Sequence, residues 1–360
     1  MRLIFVTRKI HREDPLTGFI FGWLNRLAQD LDTLYVICQE KRNISGLANN
    51  IEVYSFGKEK GYGKLRQGFS LFALSFLLAK KADGFFVHMH PIYAITAWFP
   101  AKLFGKKIIL WYAHKSVDFK LRVAQFLVDR VLTSSKESFR LPSNKVRVLG
   151  HGIDLGKFAP LPQSLPTGGG GKAGGKKFRI VSIGRISPVK DYETLIKAME
   201  ILCNDMGMRG LKVQIYGRIG LPEHQAYLDS LVDFVQNANL DEVIDFQSEV
   251  SHEYVPQILG EADLFVNLSQ TGSLDKAVLE AAAMGVIVLT SNEAFESKLK
   301  EISPLLFFKR NDPSDLAEKI MATKNLTSEE KMKIANRLKS WVEREHNLNN
   351  LISLIVEEFK

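Results

Sequence analysis

Cysteine is almost absent: only Cys38 and Cys203 occur in 360 residues, far apart and each inside an apolar segment. That excludes a disulfide framework and a cysteine-built zinc site, makes both thiols small core residues, and favours a reducing compartment. No segment reaches ~18 uninterrupted apolar residues, so no membrane-spanning helix is expected. The N-terminal MRLIFVTRK holds one short apolar run without a cleavage-site pattern, and the chain reads as soluble and cytoplasmic. No five basic residues run together, and aromatic residues do not interleave with cations as a base-stacking platform requires. Nucleic acid is therefore the weakest partner class.

With 46% apolar residues and ordinary levels of glycine and proline, the chain can build two packed cores. Its net charge of +8 is unevenly spread, because residues 1–160 hold 25 Lys+Arg against 12 Asp+Glu and the remainder holds 23 against 28. Lysines such as Lys58, Lys60, Lys64, Lys80, Lys81, Lys106 and Lys107 suit either a solvated basic face or contact with an anionic membrane surface or a phosphorylated acceptor.

Both halves alternate short β-branched or aromatic runs with amphipathic segments, the pattern of parallel sheets covered by helices. Strands are expected at 3–6, 34–38, 51–55, 85–87, 108–112, 131–133 and 146–149, then at 179–183, 212–216, 243–246, 264–268 and 286–290. The expected division is 1–159, a Gly/Pro-rich tether at 160–177, and 178–340. The stretch TGGGGKAGGKK, Thr167 to Lys177, mimics a P-loop from Gly170, but Lys177 stands where Ser or Thr would hold Mg²⁺, and no strand precedes it. A flexible tether explains it better. GFSLFALSFLLAKK, Gly68 to Lys81, is apolar on nearly every side and reads first as a buried helix, second as an interfacial membrane helix. The D-x-D at Asp30 to Asp32 precedes a strand, on the wrong side of a doubly wound sheet for a ligand.

Chemistry concentrates where strands end. In VSIGRISPVKDYETLIKAM a strand delivers Gly184 and Arg185 to a loop, and Lys190 follows just before a helix that Asp191 is expected to cap. Two cations and a positive helix end in one place suit a diphosphate. In SQTGSLDKAVLEAAAMG the chain turns at Gly272, and Ser273, Leu274, Asp275 and Lys276 form the start of a helix whose N–H groups can face an anion. Lys276 is placed to neutralise Asp275 or to reach the phosphate. Glu280 lies further along, where a carboxylate can accept from both hydroxyls of a ribose, and Gly285 suits the left-handed position that ends the helix. His88 and His90 in FFVHMHP, and His114 in LWYAHKS, follow strands and are candidates for the acceptor side. No carboxylate or cysteine completes a metal ligand set around them.

With LGHGID at 149–154, these stretches resemble the retaining glycosyltransferases of family 4, chiefly over residues 146–292. The resemblance implies an α/β architecture, the GT-B fold of two Rossmann-like, doubly wound parallel-sheet domains facing across a cleft, with a C-terminal helix at 341–360 crossing back to the first. It implies hexosyl transfer from a nucleoside diphosphate sugar, UDP- or GDP-linked, to a hydroxyl of a glycan or lipid-linked acceptor, without a cofactor or metal. Arg185 and Lys190 would then hold the diphosphate, Glu280 the ribose, and His114 would be the active-site histidine. The family's first motif glutamate falls on Gly272, and its glycine-rich N-terminal loop finds its nearest match at Gly18. Asp275 is the remaining acid in the donor loop. A sugar-nucleotide epimerase of the same fold and a non-catalytic nucleotide-sugar-binding module remain alternatives. The basic first half also leaves open a peripheral position at the inner face of a membrane.

Overall fold

The computed structural model describes residues 1–14, 17–159, 177–270 and 272–360. Nearly all of the expected tether, and with it the P-loop-like run before Lys177, lies outside the described residues. Two compact units emerge: Met1–Asp154 with Glu345–Lys360, and Leu155–Arg344.

The first unit runs β1 (Arg2–Ile10), α1 (Ile20–Gln29), β2 (Thr33–Lys41), β3 (Ile51–Ser55), α2 (Lys64–Ala79), β4 (Gly84–His88), α3 (Pro91–Leu103), β5 (Lys107–Trp111), α4 (Phe119–Leu127), β6 (Arg130–Thr133) and β7 (Val146–Val148). Its sheet has the order β3-β2-β1-β4-β5-β6-β7, and every pair is parallel. Such a sheet is buried on both faces, which is why its strands read as unbroken apolar runs. One core joins Ile4, Val6, Phe85, Val87 and Ile108 to Leu71, Leu78, Ala94, Ala97, Leu121 and Ala124 of α2, α3 and α4. The other joins Leu3, Phe5, Val36 and Ile109 to α1 and to the C-terminal helix, Leu348–Glu357, through Trp23, Leu24, Leu351 and Ile352.

LGHGID pins that C-terminal helix in place. Gly150 has φ 81°, and a Cβ there would lie 1.9 Å from the Glu345 carbonyl oxygen. The Ile153 N–H donates to the His346 carbonyl at 2.7 Å, and the Leu348 N–H donates to the Ile153 carbonyl at 2.9 Å. The helix α2 corrects the expectation of a buried element: Leu71, Ser75, Leu78 and Ala79 are buried, but Leu65, Phe69 and Leu77 are exposed. A sheet covers only one face of a helix lying on it. Asp30 pairs with Arg26 at 2.8 Å and Asp32 with the N-terminal amine at 2.5 Å, so both acids serve local structure.

The second unit runs β8 (Phe178–Ile183), α5 (Tyr192–Glu200), β9 (Leu211–Tyr216), α6 (Gln225–Asn237), β10 (Ile244–Gln247), α7 (Val255–Gly260), β11 (Leu264–Asn267), α8 (Lys276–Ala283), β12 (Ile287–Thr290), α9 (Glu293–Ile302), α10 (Pro313–Asn325) and α11 (Ser328–His346). Its parallel sheet has the order β10-β9-β8-β11-β12. The chain adds strands to one side of β8 and then crosses to the other, so a switch point opens between the carboxyl ends of β8 and β11. In the first unit the same reversal falls between β1 and β4. Both cysteines are buried and free. Burial pushes the Cys38 thiol up to about 12, with the Glu59 carboxylate adding to the shift.

Candidate functional site

Of the residues singled out in the second half, Lys190 and Asp275 meet at its switch point. Gly184 and exposed Arg185 leave β8, a short 3₁₀ turn over Pro188–Lys190 carries Lys190, and the loop after β11 carries residues up to α8. The Lys190 ammonium lies 2.5 Å from Asp275 Oδ2, with the two side chains only 11% and 17% exposed. A Cβ at Gly184 would stand 3.3 Å from Lys190 Nζ, so the bare backbone there makes room for the ammonium.

Asp275 caps α8 by accepting from the Ala277 N–H, and it also accepts from Asn267 Nδ2 at 3.0 Å. Burial alone would raise its carboxyl. The Lys190 charge and these hydrogen bonds outweigh burial and hold it below the usual carboxylate range. Lys190, brought up by the approach of the β8 loop to α8, thus neutralises Asp275. Arg185, Lys190 and Asp275 together sum to +1.

Behind this pair the loop is braced. Thr290 Oγ1 donates to Asn267 Oδ1 at 3.1 Å, and Asn292 Nδ2 donates to the Ser273 carbonyl at 2.9 Å. Ser273 is buried and Leu274 and Lys276 half-buried. Gly272 sits at φ 59°, and Gly285 at φ 77° ends α8 as its sequence position implies. Asp191 is a second correction: it adopts φ 46° and accepts from the Thr194 hydroxyl at 2.8 Å without forming a regular side-chain cap on α5.

Glu280 is buried, and His252 Nε2 lies 2.8 Å from its Oε1. On the other side of the ring, Lys157 Nζ lies 3.0 Å from His252 Nδ1, and Phe158 packs against the imidazole at 5.4 Å. An ammonium only donates, so Nδ1 accepts and the ring proton sits on Nε2, directed at Glu280. Sequence reasoning missed Lys157, His252, Asn267 and Asn292. His252 had a usable signal, since it lies beyond the end of β10 as His90 lies beyond the end of β4.

In the first unit His88 is buried at the end of β4, 3.4 Å from Thr7 Oγ1, with Phe5, Trp23 and Phe19 around it. His90 precedes α3, and burial, with the Arg8 charge adding to it, pushes its imidazole down to about 4. His114 is exposed beyond β5, and its Nδ1 accepts from the Ser116 N–H at 3.1 Å, which leaves Nε2 as the protonated nitrogen of the neutral ring. Gly18 lies in the loop from β1 to α1, where its N–H donates to the Asp14 carbonyl at 2.7 Å. His88, His90 and Gly18 thus come to the β1/β4 switch point, and His114 lies one strand further on. Among the described residues, no three His, Cys, Asp or Glu side chains gather as a metal site requires, and no helix is long and apolar enough to cross a membrane.

Two parallel α/β sheets, each wound on both faces, are the GT-B architecture. The crystal structure of Anabaena Alr3699/HepE in complex with UDP superposes over 99% of this chain and 99% of its own, with a TM-score of 0.77 at 17% identity, a likeness of fold. Residues 171–341, which lie within the second unit, match the family Glycosyl transferases group 1. The D-inositol 3-phosphate glycosyltransferase of Nocardia farcinica is 27% identical over 191 residues, 52% of this chain and 40% of that protein. Mannosylfructose-phosphate synthase of Agrobacterium fabrum is 24% identical over 172 residues, 48% of this chain and 37% of that protein. The chain thus spans less than half the length of these curated relatives.

Proposed function

We propose that the protein is a glycosyltransferase that moves a hexosyl group from a nucleoside diphosphate sugar to an acceptor hydroxyl, with retention at the anomeric carbon. The observation that carries this reading is the Lys190–Asp275 pair at the amino end of α8, on the switch point of the stretch that matches Glycosyl transferases group 1, with Arg185 exposed just beyond β8. The bond from the anomeric carbon to the diphosphate oxygen breaks, and the acceptor oxygen forms the new bond on the same face. The acceptor proton passes to the departing phosphate. Negative charge grows on the leaving diphosphate, and fixed cations and N–H groups stabilise that growth without reorganising. Lys190 is held in place by Asp275 until a phosphate competes for it. Glu280, oriented by His252, takes the ribose hydroxyls, and Asp275 stands in the donor loop where the first motif glutamate is replaced by Gly272. His114 Nε2 is the donor nearest in kind to an acceptor-positioning group.

UDP in the Anabaena neighbour supports a nucleotide-linked donor, and the glycosyltransferase name of the Nocardia relative supports glycosyl transfer. The acceptor is a glycan or lipid-linked hydroxyl. Incubation of the full chain with UDP- and GDP-sugars and a panel of such acceptors tests the reading, with free diphosphate and the anomeric configuration of the product as readouts. Retained product that disappears in Arg185→Ala supports it. Inverted product removes the retaining mechanism, and an epimerised donor sugar without transfer replaces the reading with sugar-nucleotide epimerisation.

A further inference from the structure

The exposed large apolar side chains cluster on one face of the first unit. Of the fifteen among the described residues, nine lie on α2, α3 and α4. On α2 they are Leu65, Phe69, Phe76 and Leu77, spaced as one helical stripe directed away from the buried Leu71 and Leu78. On α3 the stripe is Ile92, Phe99 and Leu103, and on α4 it is Phe119 and Phe126. The stripes of α2 and α3 touch through aromatic pairs, Phe72 with Phe99 at 6.1 Å and Phe76 with Phe104 at 5.2 Å. Leu65 at 93% exposure and Phe126 at 81% are essentially bare. Isolated surface leucines need no account, but phenylalanines collected over three adjacent helices do.

Charge on the same helices has one sign. Their 16, 13 and 9 residues contain Lys64, Arg66, Lys102, Lys120 and Arg122 and no acid. Lys64 and Arg66 flank one end of the α2 stripe, and Lys80 and Lys81 the other. Lys80 Nζ lies over the Phe76 ring at 5.9 Å and over the Phe104 ring at 5.7 Å, so a cation borders the aromatic surface directly. The flanking acids are already engaged: Asp118 caps α4 through the Leu121 N–H at 2.7 Å, and Asp129 pairs with Lys102 at 2.6 Å.

We infer that the outer face of α2, α3 and α4 is a docking surface for an anionic lipid bilayer, with the phenylalanines and leucines entering the headgroup boundary and the lysines and arginines meeting the lipid phosphates. Apolar side chains ringed by cations are what an interfacial helix needs, and each basic residue near an anionic surface strengthens binding by about fivefold. A second copy of the chain is the poorer occupant, because a two-fold interface would set this one-signed face against itself. The inference is separate from the transfer reading, since vesicle binding is measured without a sugar donor.

The test is co-sedimentation of the full chain with phosphatidylcholine vesicles and with vesicles containing about one-third phosphatidylglycerol, at low and high salt. The chain binds the anionic vesicles and is released by salt. The variant Phe69→Ser/Leu77→Ser and the variant Lys64→Glu/Arg66→Glu/Lys120→Glu each lose about tenfold or more in binding. All five positions are exposed, so both variants keep native circular dichroism. Absence of binding to anionic vesicles, or variants that bind like the wild type, overturns the inference. A wild-type dimer that Phe69→Ser/Leu77→Ser turns into a monomer, without vesicle binding, assigns the face to a second copy.

Discussion

Lys190 and Asp275 form an ion pair at 2.5 Å across the switch point of the second unit, so the cation assigned to the donor diphosphate is neutralised beforehand. Removing either partner leaves a largely buried charge without its counter-ion. Lys190→Met is expected to lower stability by about 3 kcal/mol, the low end for a buried pair, and Lys190→Met/Asp275→Asn to recover part of the loss. Urea unfolding checks it, and equal losses in single and double variants would remove the coupling. The carboxyl of Asp275 is depressed, so its stabilisation is complete above the unfolded carboxylate value and is lost as pH falls through the folded one.

Arg185 is exposed at the end of β8. Arg185→Ala should weaken a nucleoside diphosphate by roughly 1.5–3 kcal/mol, the range for hydrogen bonds to charged groups, and leave the bare nucleoside unchanged. Calorimetry with both ligands decides, since equal losses would move Arg185 away from the phosphates.

His252 holds the Glu280 carboxylate at 2.8 Å. Replacing it with Phe keeps a ring of similar size but deletes the donor, and nucleoside affinity should fall about tenfold, the cost of an under-satisfied buried carboxylate. Glu280→Gln should weaken the ribonucleotide more than its 2′-deoxy analogue. Identical ratios for both sugars would show that Glu280 does not touch the ribose.

His90 titrates at about 4 when folded, against 6.5 for the ordinary group. The unfolded chain binds the proton more readily between these values, so the contribution of His90 is complete above the upper value and is lost progressively as pH falls to the lower one. His90→Gln should therefore show a shallower fall in Tm on acidification through that window than the wild type. Parallel Tm curves would contradict the burial of this ring.

Gly272 has φ 59°, a conformation that disfavours any side chain. Gly272→Glu introduces the glutamate that the resemblance implies here but should cost about 1–2 kcal/mol of stability and bring no gain in turnover, because the backbone conformation and the charge of Asp275 both oppose it. A faster enzyme would mean that the loop rearranges to accept the carboxylate.

Much of this molecule was legible along the chain. The strands announced themselves because a parallel sheet buried on both faces demands unbroken apolar runs, and Gly285 declared its helix end because only a left-handed residue fits there. Placement of Gly184, Arg185 and Lys190 beyond the end of β8 followed from the same rule, since switch-point sites lie at carboxyl edges. Pairing was not legible. Lys190 and Asp275 are 85 residues apart and Lys157 and His252 are 95 apart, and only strand order brings each pair together. Periodicity also could not say which face of α2 is covered, because Leu71 and Phe69 have the same chemistry in sequence, and the sheet lies beneath only one of them.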